Sequence, residues 1–444
     1  MTNKISEKNN SFPFEEGDRV CFIGDSITHG NYYMSYIYEY YLTRFPEMGI
    51  SLYNCGIAGD RALLALERLE YDVMVNVPNK VVVMFGANDI ERQLYNREAA
   101  SYEILRARET ALKNYRDGME KIIRTLSAKS IKVILTAPTP YDQTAQMESD
   151  NNYGCDDALA RCAQIARELA GNYGCNFIDL HEPMNRINRE LQKIDPANSV
   201  IGPDRIHPTE TGALLMAYFF LKQQGGLTKV ALSEIGFETE AVSFQQNCEV
   251  SNIAMRDGSI SFDYKPYAFP LYRDRPYAAA EKLAPLTEEL NSEIISVKGL
   301  PPGEYMLVMD GKDLGVYSHF ALDTGVNIAA IPDSPTQAHS KIIHQANLLR
   351  HRWEQKLRTI RFAEYNPRNR GIDMENAETV REFLELELEK IKDEPYYQYI
   401  KDQTRMYYSL KPDEEQILRQ IEKSRREIRT KNVPVSYQVS LFEV

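Results

Sequence analysis

Residue types that together can activate a serine lie in two short segments of the chain. Ser26 follows the apolar run 20–23 within Gly-Asp-Ser-Ile-Thr, and Asp204 and His207 lie far downstream within Asp-Arg-Ile-His-Pro. A serine hydroxyl is a weak nucleophile at neutral pH, so it needs an imidazole to take its proton and a carboxylate to orient that imidazole. The chain therefore carries the parts of a serine hydrolase in the order Ser, Asp, His.

Two segments between these ends supply hydrogen-bond donors. Gly59 ends the segment Asn-Cys-Gly-Ile-Ala-Gly, and Asn88 follows the apolar run Val81–Phe85. In an open parallel sheet the carboxyl ends of the strands line one crevice, so we expect Ser26, Gly59 and Asn88 to converge. The N–H groups of Ser26 and Gly59 and the amide of Asn88 would then form an oxyanion hole. Gly56 lies in the same turn as Gly59, and spacing alone does not decide between them.

These four segments resemble the four sequence blocks of the SGNH, or GDSL-type, esterase family. The matches are Ser26 in block I, Gly59 in block II, Asn88 in block III, His207 in block V and Asp204 three residues before that histidine. Block I has isoleucine where the namesake motif has leucine, which leaves the chemistry unchanged. The resemblance covers about residues 18–225 and favours Gly59 over Gly56. It implies a flavodoxin-like three-layer α/β/α fold and acyl-ester hydrolysis by a Ser-His-Asp mechanism without a metal or a cofactor.

The candidate residues also have other interpretations. Ser26 could merely cap the helix that follows it, because serine between a strand and a helix is a favoured N-cap. Asp204 and His207 could be two ligands of a metal ion, but the sequence offers no third ligand at close spacing, His181 being the nearest in sequence. We therefore expect no metal site, and we interpret His181 as a loop histidine.

Composition and charge exclude several classes of function. The chain has 444 residues, 43% of them apolar, and a net charge of −12, which argues against a protein that binds nucleic acid or an anionic membrane. No apolar run is long enough to cross a bilayer, and the first ten residues are polar, so we expect a cytoplasmic protein while leaving secretion open. The six cysteines form no C-x-x-C pair and are expected to be free thiols.

Hydrophobic patterns predict three segments. Residues 18–225 alternate apolar strands with helix-period stretches, which predicts a parallel five-stranded sheet with helices on both faces. Residues 228–330 contain strand-like runs and the turn dipeptides Asp257-Gly258 and Asp310-Gly311, which predict a small antiparallel β module. Residues 331–444 predict a charged helical extension that ends in a segment able to form a strand.

The helical extension carries an apolar and a basic pattern. Apolar residues including Ile342, Leu349 and Ile360 fall on one helical face, which we interpret as a packing seam. Basic residues of the same stretch, including Arg350 and Arg358, could suggest nucleic-acid binding. Glutamates on the next predicted helix offer charge balance, so we interpret these arginines as part of a solvated, paired surface.

The substrate is less well defined by the sequence than the chemistry is. Tyr32 and Tyr33 follow Ser26 closely and are expected to face the pocket mouth, where a ring with a hydroxyl suits a sugar. The chain has no long apolar lid segment of the kind that a lipase uses, which favours a short acyl group, acetyl above all, on a small-molecule or oligosaccharide ester. The alternatives are a lipase-like esterase or thioesterase, an acyltransferase, and a non-catalytic carbohydrate-binding protein. A homo-oligomer is left open.

Overall fold

The structure, a computed structural model, describes residues 11–95, 100–256 and 258–444. The first part alternates strands and helices: β1 (Arg19–Gly24), α1 (Ser26–Gly30), α2 (Tyr32–Arg44), β2 (Ser51–Gly56), α3 (Ala62–Ala65), β3 (Lys80–Met84), α4 (Tyr102–Ala128), β4 (Lys132–Thr136), α5 (Cys155–Tyr173), β5 (Asn176–Ile178), α6 (His181–Ile194) and α7 (Glu210–Gln224). Short 3₁₀ and π turns follow α3 at Leu66–Arg68, Leu69–Val73 and Met74–Asn76. The strands pair in parallel in the order β2-β1-β3-β4-β5. This flavodoxin-like order confirms the predicted fold class.

The side chains of β1 show why helices cover both faces of the sheet. Val20 and Phe22 lie in one buried apolar cluster with residues of α2 and α7, whereas Cys21 and Ile23 lie in another with residues of α4 and α5. All four are at most 1% exposed. Because burial of a large apolar side chain contributes roughly 1.5–3 kcal/mol, a strand that is apolar on both faces requires a helical layer on each.

The second part of the chain forms two further sheets. Its elements are β6 (Ala231–Gly236), β7 (Ala241–Gln246), β8 (Cys248–Arg256), β9 (Ser259–Pro266), α8 (Arg275–Ala280), α9 (Leu286–Leu290), β10 (Glu293–Lys298), β11 (Glu304–Met309), β12 (Lys312–Ser318), α10 (His319–Thr324) and β13 (Val326–Asn327). Asp310 and Gly311 take positive φ angles of 48° and 75°, as a tight hairpin between β11 and β12 requires. Asp257 of the other predicted turn lies outside the described residues. Most pairs are antiparallel, but β6 and β10 pair in parallel.

The third part is helical and ends in a strand. It comprises α11 (Pro335–Asn369), α12 (Ala377–Lys390), α13 (Tyr397–Leu410), α14 (Glu414–Lys431) and β14 (Tyr437–Glu443). Strand β14 lies between β11 and β9 in the sheet β12-β11-β14-β9-β8, so the end of the chain completes a sheet that begins with β8 at Cys248. The division into three segments therefore stays a prediction. Within the described ranges, no helix is both long enough and apolar enough to span a membrane.

Helix α11 corrects the interpretation of its arginines as solvated. Arg350 and Arg358 are buried. Of the predicted packing seam, Ile360 is fully buried in an apolar cluster, whereas Ile342 and Leu349 are 47% and 43% exposed. The buried face of α11 is largely polar and includes Ser340, His344, Asn347, Arg350, Glu354 and Arg358. This face packs on α2 through hydrogen bonds, such as those from His344 and Asn347 to the carboxylate of Glu39.

The central position of β14 gives a test of its contribution to stability. Leu441 is fully buried and pairs with Leu307 and Ile260 on the two sides, whereas Phe442 is 42% exposed. We expect Leu441→Ala to lower the free energy of unfolding by about 2–5 kcal/mol because it leaves a cavity. The control Phe442→Ala should cost far less. Urea unfolding of both variants checks this, and equal losses would contradict the central placement of β14.

Candidate active site

The turn after β1 presents Ser26 at the first position of α1. Asp25, not Ser26, caps this helix, since its Oδ1 accepts the N–H of Ile27 at 3.0 Å. The alternative in which Ser26 merely serves as the N-cap is therefore wrong. Gly24 permits the sharp turn, because a Cβ there would lie 2.4 Å from Thr28 Oγ1 and 2.6 Å from the carbonyl oxygen of Met84.

A second loop, residues 202–208, holds Asp204 and His207. Its ends are tied by a hydrogen bond of 2.7 Å from the Gly202 N–H to the His207 carbonyl. Between them Arg205 turns inward with φ of 66° and is 3% exposed. Its guanidinium donates to four backbone carbonyls, those of Asp142, Ala145, Met147 and Ser149. Arg205 thus fixes the loop from inside while Asp204 and His207 are exposed. No local sequence pattern predicted this function of Arg205.

Ser26, His207 and Asp204 form one hydrogen-bonded line. Ser26 Oγ lies 2.7 Å from His207 Nε2, and His207 Nδ1 is hydrogen-bonded to Asp204 Oδ2. Asp204 Oδ1 also accepts the backbone N–H of His207 at 3.0 Å. Partial burial pushes the pKa of Asp204 upward, but the hydrogen bonds from His207 outweigh it and lower this pKa to about 2. Asp204 is therefore a carboxylate at neutral pH.

The two glycines of the turn after β2 have different surroundings. Gly56 is buried, its N–H donates to Asn54 Oδ1 at 2.8 Å, and a Cβ on it would lie 2.2 Å from the nitrogen of His29. Gly59 is exposed, with φ of 80°. Among the residues that the structure describes, no acceptor is hydrogen-bonded to the Gly59 N–H. The geometry therefore favours Gly59 as the donor to an oxyanion.

The turn after β3 brings Asn88 against the same segment. Asn88 Nδ2 donates to the carbonyl oxygen of Asp60 at 3.1 Å, which occupies one of its two amide hydrogens. The buried carboxyl of Asp89 ties this turn to α3, since it accepts the N–H of Gly86 at 3.0 Å and that of Ala62 at 2.9 Å. Burial outweighs these hydrogen bonds and raises the pKa of Asp89 to about 7.

Other residues predicted from the sequence lie differently. Tyr33 is 2% exposed and packs on Phe22, so the expectation that it faces the pocket mouth is corrected: the α2 helix turns its ring into the core. Tyr32 is 57% exposed, with its ring centroid 5.3 Å from that of His351.

The expectation that His181 is a loop residue is wrong, because His181 is the first residue of α6. Its Nε2 lies 3.0 Å from Asp156 Oδ1. In the described parts of the chain, no three or more His, Cys, Asp or Glu side chains are grouped to hold a metal ion.

Known proteins that are similar to this chain identify its family. A model of the GDSL-like Lipase/Acylhydrolase family matches residues 22–215. The solved structure of a gut microbial diltiazem-metabolizing enzyme is 31% identical, with a TM-score of 0.86 over 98% of this chain and 99% of that one. The chain belongs to the GDSL-like lipase/acylhydrolase family. It is an ester hydrolase.

A second relative of this GDSL-like family member is shorter. An acetylxylan esterase from Geobacillus stearothermophilus is 26% identical over 226 residues, which cover 47% of this chain and 94% of that protein. Nearly the whole of that esterase therefore corresponds to about half of this chain. The diltiazem-metabolizing enzyme, in contrast, is similar to the whole of it.

The raised pKa of Asp89 predicts how pH changes the stability of this GDSL-like hydrolase. A folded pKa of about 7 exceeds the unfolded value of about 3.9, so folded Asp89 binds its proton more tightly, and its contribution to stability falls as pH rises from about 4 to about 7. Asp89→Asn cannot ionise, but it leaves one N–H without an acceptor, which costs about 1–3 kcal/mol. We expect the variant to be less stable than wild type at pH 5 and the difference to narrow toward pH 8.

Urea unfolding at pH 5, 6, 7 and 8 measures this difference. The exposed Asp313 provides the control, because Asp313→Asn should stay close to wild type throughout. A difference between Asp89→Asn and wild type that grows with rising pH would contradict the assignment.

Proposed function

We propose that the chain is a serine esterase with Ser26 as nucleophile, His207 as general base and acid, and Asp204 as the residue that orients His207. The observation that carries this proposal is the continuous hydrogen-bonded line from Ser26 Oγ through the imidazole to the carboxylate of Asp204. The Oγ–Nε2 distance of 2.7 Å lies within the range for direct proton transfer. The ionised Asp204 fixes the tautomer that leaves Nε2 free to accept the proton.

The reaction proceeds in two acyl-transfer steps. Ser26 Oγ attacks the ester carbonyl carbon while His207 Nε2 takes the hydroxyl proton, and a tetrahedral intermediate forms. His207 then gives this proton to the leaving alcohol as the ester C–O bond breaks, which leaves the acyl group on Ser26. A water molecule, deprotonated by His207, attacks this acyl-enzyme, and the acid is released as Ser26 regains its proton.

The negative oxygen of each tetrahedral intermediate needs donors that are in place beforehand. Ser26 is the first helical residue, so its N–H has no acceptor within the helix. We assign this N–H, the N–H of Gly59 and the remaining amide hydrogen of Asn88 to the oxyanion hole. The hydrogen bond from Asn88 to the Asp60 carbonyl supports this assignment, since it ties two of the donors to one segment.

The favoured substrate is a short acyl ester, acetyl above all, on a carbohydrate. The relative that matches over 94% of its length is an acetylxylan esterase. The side chains of His207 and Asp204 are 46% and 49% exposed, so a large hydrated alcohol group can approach the nucleophile from solvent. We assign Tyr32 as a contact for the sugar, because its exposed ring can stack on a sugar face.

A second class of substrate is favoured by the relative that is similar over the whole chain. That protein is named a diltiazem-metabolizing enzyme, and its similarity extends to the elements that follow the parallel sheet. Esters of small drug-like molecules, diltiazem among them, are therefore the second candidate.

A panel of esters tests the nucleophile and the substrate class together. Wild type, Ser26→Ala and the control Ser127→Ala, a substitution at an exposed position of α4, are compared for acetate release from acetylated xylo-oligosaccharides and monosaccharides. Diltiazem and a long-chain aryl ester complete the panel. We expect acetate release by wild type and the control, and a loss of several orders of magnitude in Ser26→Ala, because Ser26 is the only described residue whose hydroxyl is hydrogen-bonded to His207.

Each other outcome supports an alternative. Cleavage of the aryl ester alone would indicate a lipase-like esterase or thioesterase, and acyl transfer to an added sugar would indicate an acyltransferase. Binding of the sugars without turnover would indicate a carbohydrate-binding protein. Full activity in Ser26→Ala would refute the assignment of the nucleophile.

The oxyanion assignment of Asn88 has its own test. Asn88→Ala removes a donor used in the tetrahedral intermediate, so kcat should fall by about 10²–10³ with a smaller change in KM. Asn198→Ala, at an exposed position outside the site, serves as control and should leave kcat within about twofold of wild type. Steady-state kinetics on the best ester of the panel measures both, and an unchanged kcat in Asn88→Ala would remove Asn88 from the oxyanion hole.

A further inference from the structure

The polar face of α11 lies against the helix that begins at Ser26. Gln355 Nε2 donates to the carbonyl oxygens of His29 and Gly30, at 2.9 and 3.0 Å, at the C-terminal end of α1. Glu354 accepts the side-chain amide of Asn31 at 2.8 Å. Helix α11, which lies outside the family match of residues 22–215, is therefore hydrogen-bonded directly to the helix that carries the nucleophile.

Arg358 of α11 reaches the start of the turn that carries Gly59. Its Nε donates to the carbonyl oxygen of Gly56 at 3.0 Å, and its Nη1 and Nη2 donate to the two oxygens of Asp72 at 2.6 and 2.8 Å. The Arg358 side chain is 2% exposed. The planar guanidinium thus joins one backbone carbonyl and one carboxylate while it is almost fully buried.

The contacts of Asp72 continue to the far end of the same turn. Asp72 Oδ2 also accepts Arg68 Nη1 at 2.7 Å, and Arg68 Nε donates to Asp60 Oδ2 at 2.8 Å. Asp60 directly follows Gly59. A second residue of α11, Tyr365, donates its hydroxyl toward Asp60 Oδ1 at 3.4 Å and to the carbonyl of Leu64 at 3.2 Å. Helix α11 therefore contacts both ends of the segment 56–60.

We propose that Arg358 is a positioning residue of the active site, which holds the turn 56–60 so that the N–H of Gly59 stays aimed at the oxyanion. This inference rests on the proposed function, because it acts through a donor assigned there. Donors stabilise a tetrahedral intermediate only if they are fixed before the reaction, and a displacement of about 1 Å can cost on the order of 100-fold in rate.

The charges of this cluster explain why an arginine is required. The negative charges of Asp60 and Asp72 balance the positive charges of Arg68 and Arg358, so the net formal charge of these four buried side chains is zero. Burial raises the pKa of Asp72, but Arg358 and then Arg68 outweigh this and lower it to about 2. Without Arg358, the buried carboxylate of Asp72 would keep only its ion pair with Arg68. A lysine keeps the charge but cannot reproduce three donors in one plane.

The test compares variants of the whole 444-residue chain. Arg358→Met removes the charge and the hydrogen bonds, Arg358→Lys keeps the charge, and Tyr365→Phe removes only the hydroxyl that faces Asp60. Arg419→Met is the matched control, because Arg419 pairs with Glu415 at the surface of α14. For each variant, kcat and KM are measured on the best ester of the panel, and thermal unfolding confirms that the variant is folded at the assay temperature.

We expect kcat to fall by about 10- to 100-fold in Arg358→Met and less in Arg358→Lys, with KM within about twofold of wild type. Tyr365→Phe should lower kcat severalfold, and Arg419→Met should match wild type. If Arg358→Met does not fold, Arg358→Lys and Tyr365→Phe decide. Folded Arg358 variants with wild-type kcat, or a loss confined to KM, would overturn the inference.

The outcome for the proposed function is distinguishable. Absence of ester hydrolysis by wild type, or full activity in Ser26→Ala, would refute the proposed function itself. An active wild type whose Arg358 and Tyr365 variants behave like Arg419→Met would refute only the positioning function of Arg358.

Discussion

The buried ion network of Asp60, Arg68, Asp72 and Arg358 determines where the loops around the site can lie. Arg68 also donates to the carbonyls of Gly24 and Cys55, near the ends of β1 and β2. Removing charges from water is unfavourable, and their mutual attraction offsets this only when every partner is present in good geometry. The network is therefore close to an all-or-none arrangement, and the backbone groups that it binds have little freedom to move separately.

The site combines this rigid interior with exposed reacting groups. The side chains of His207 and Asp204 are about half exposed, whereas Arg205 between them is buried on four backbone carbonyls. Ser26 likewise follows the end of β1, where the surroundings of Gly24 leave no room for a Cβ atom on that residue. Access for a substrate and a fixed geometry are thus supplied by the same short loop, because Asp204 and His207 are exposed while Arg205 and Ile206 between them are buried.

The sequence predicted best the features that depend on local patterns. The apolar runs predicted the five parallel strands, and the polar residues at the strand ends predicted Ser26 and Asn88. The segment Asp-Arg-Ile-His-Pro predicted His207 in the loop before α7. The sequence predicted poorly the features that depend on distant partners. The buried face of α11 is largely polar because its partners are Glu39, Asp72 and backbone carbonyls. The apolar stripe therefore predicted the buried side only in part: Ile360 is fully buried, whereas Ile342 and Leu349 are 47% and 43% exposed. Tyr33 was misplaced for a similar reason, since its ring packs on Phe22 of β1.

The two relatives match different shares of this chain. The acetylxylan esterase is matched over 94% of its own length but corresponds to only 47% of this chain. The protein of TM-score 0.86 is similar over 98% of this chain, so its similarity includes the part of the chain that holds α11. In this chain, the three hydrogen bonds of Arg358 fix α11 to the turn after β2, since they satisfy a buried carboxylate and a buried carbonyl at once.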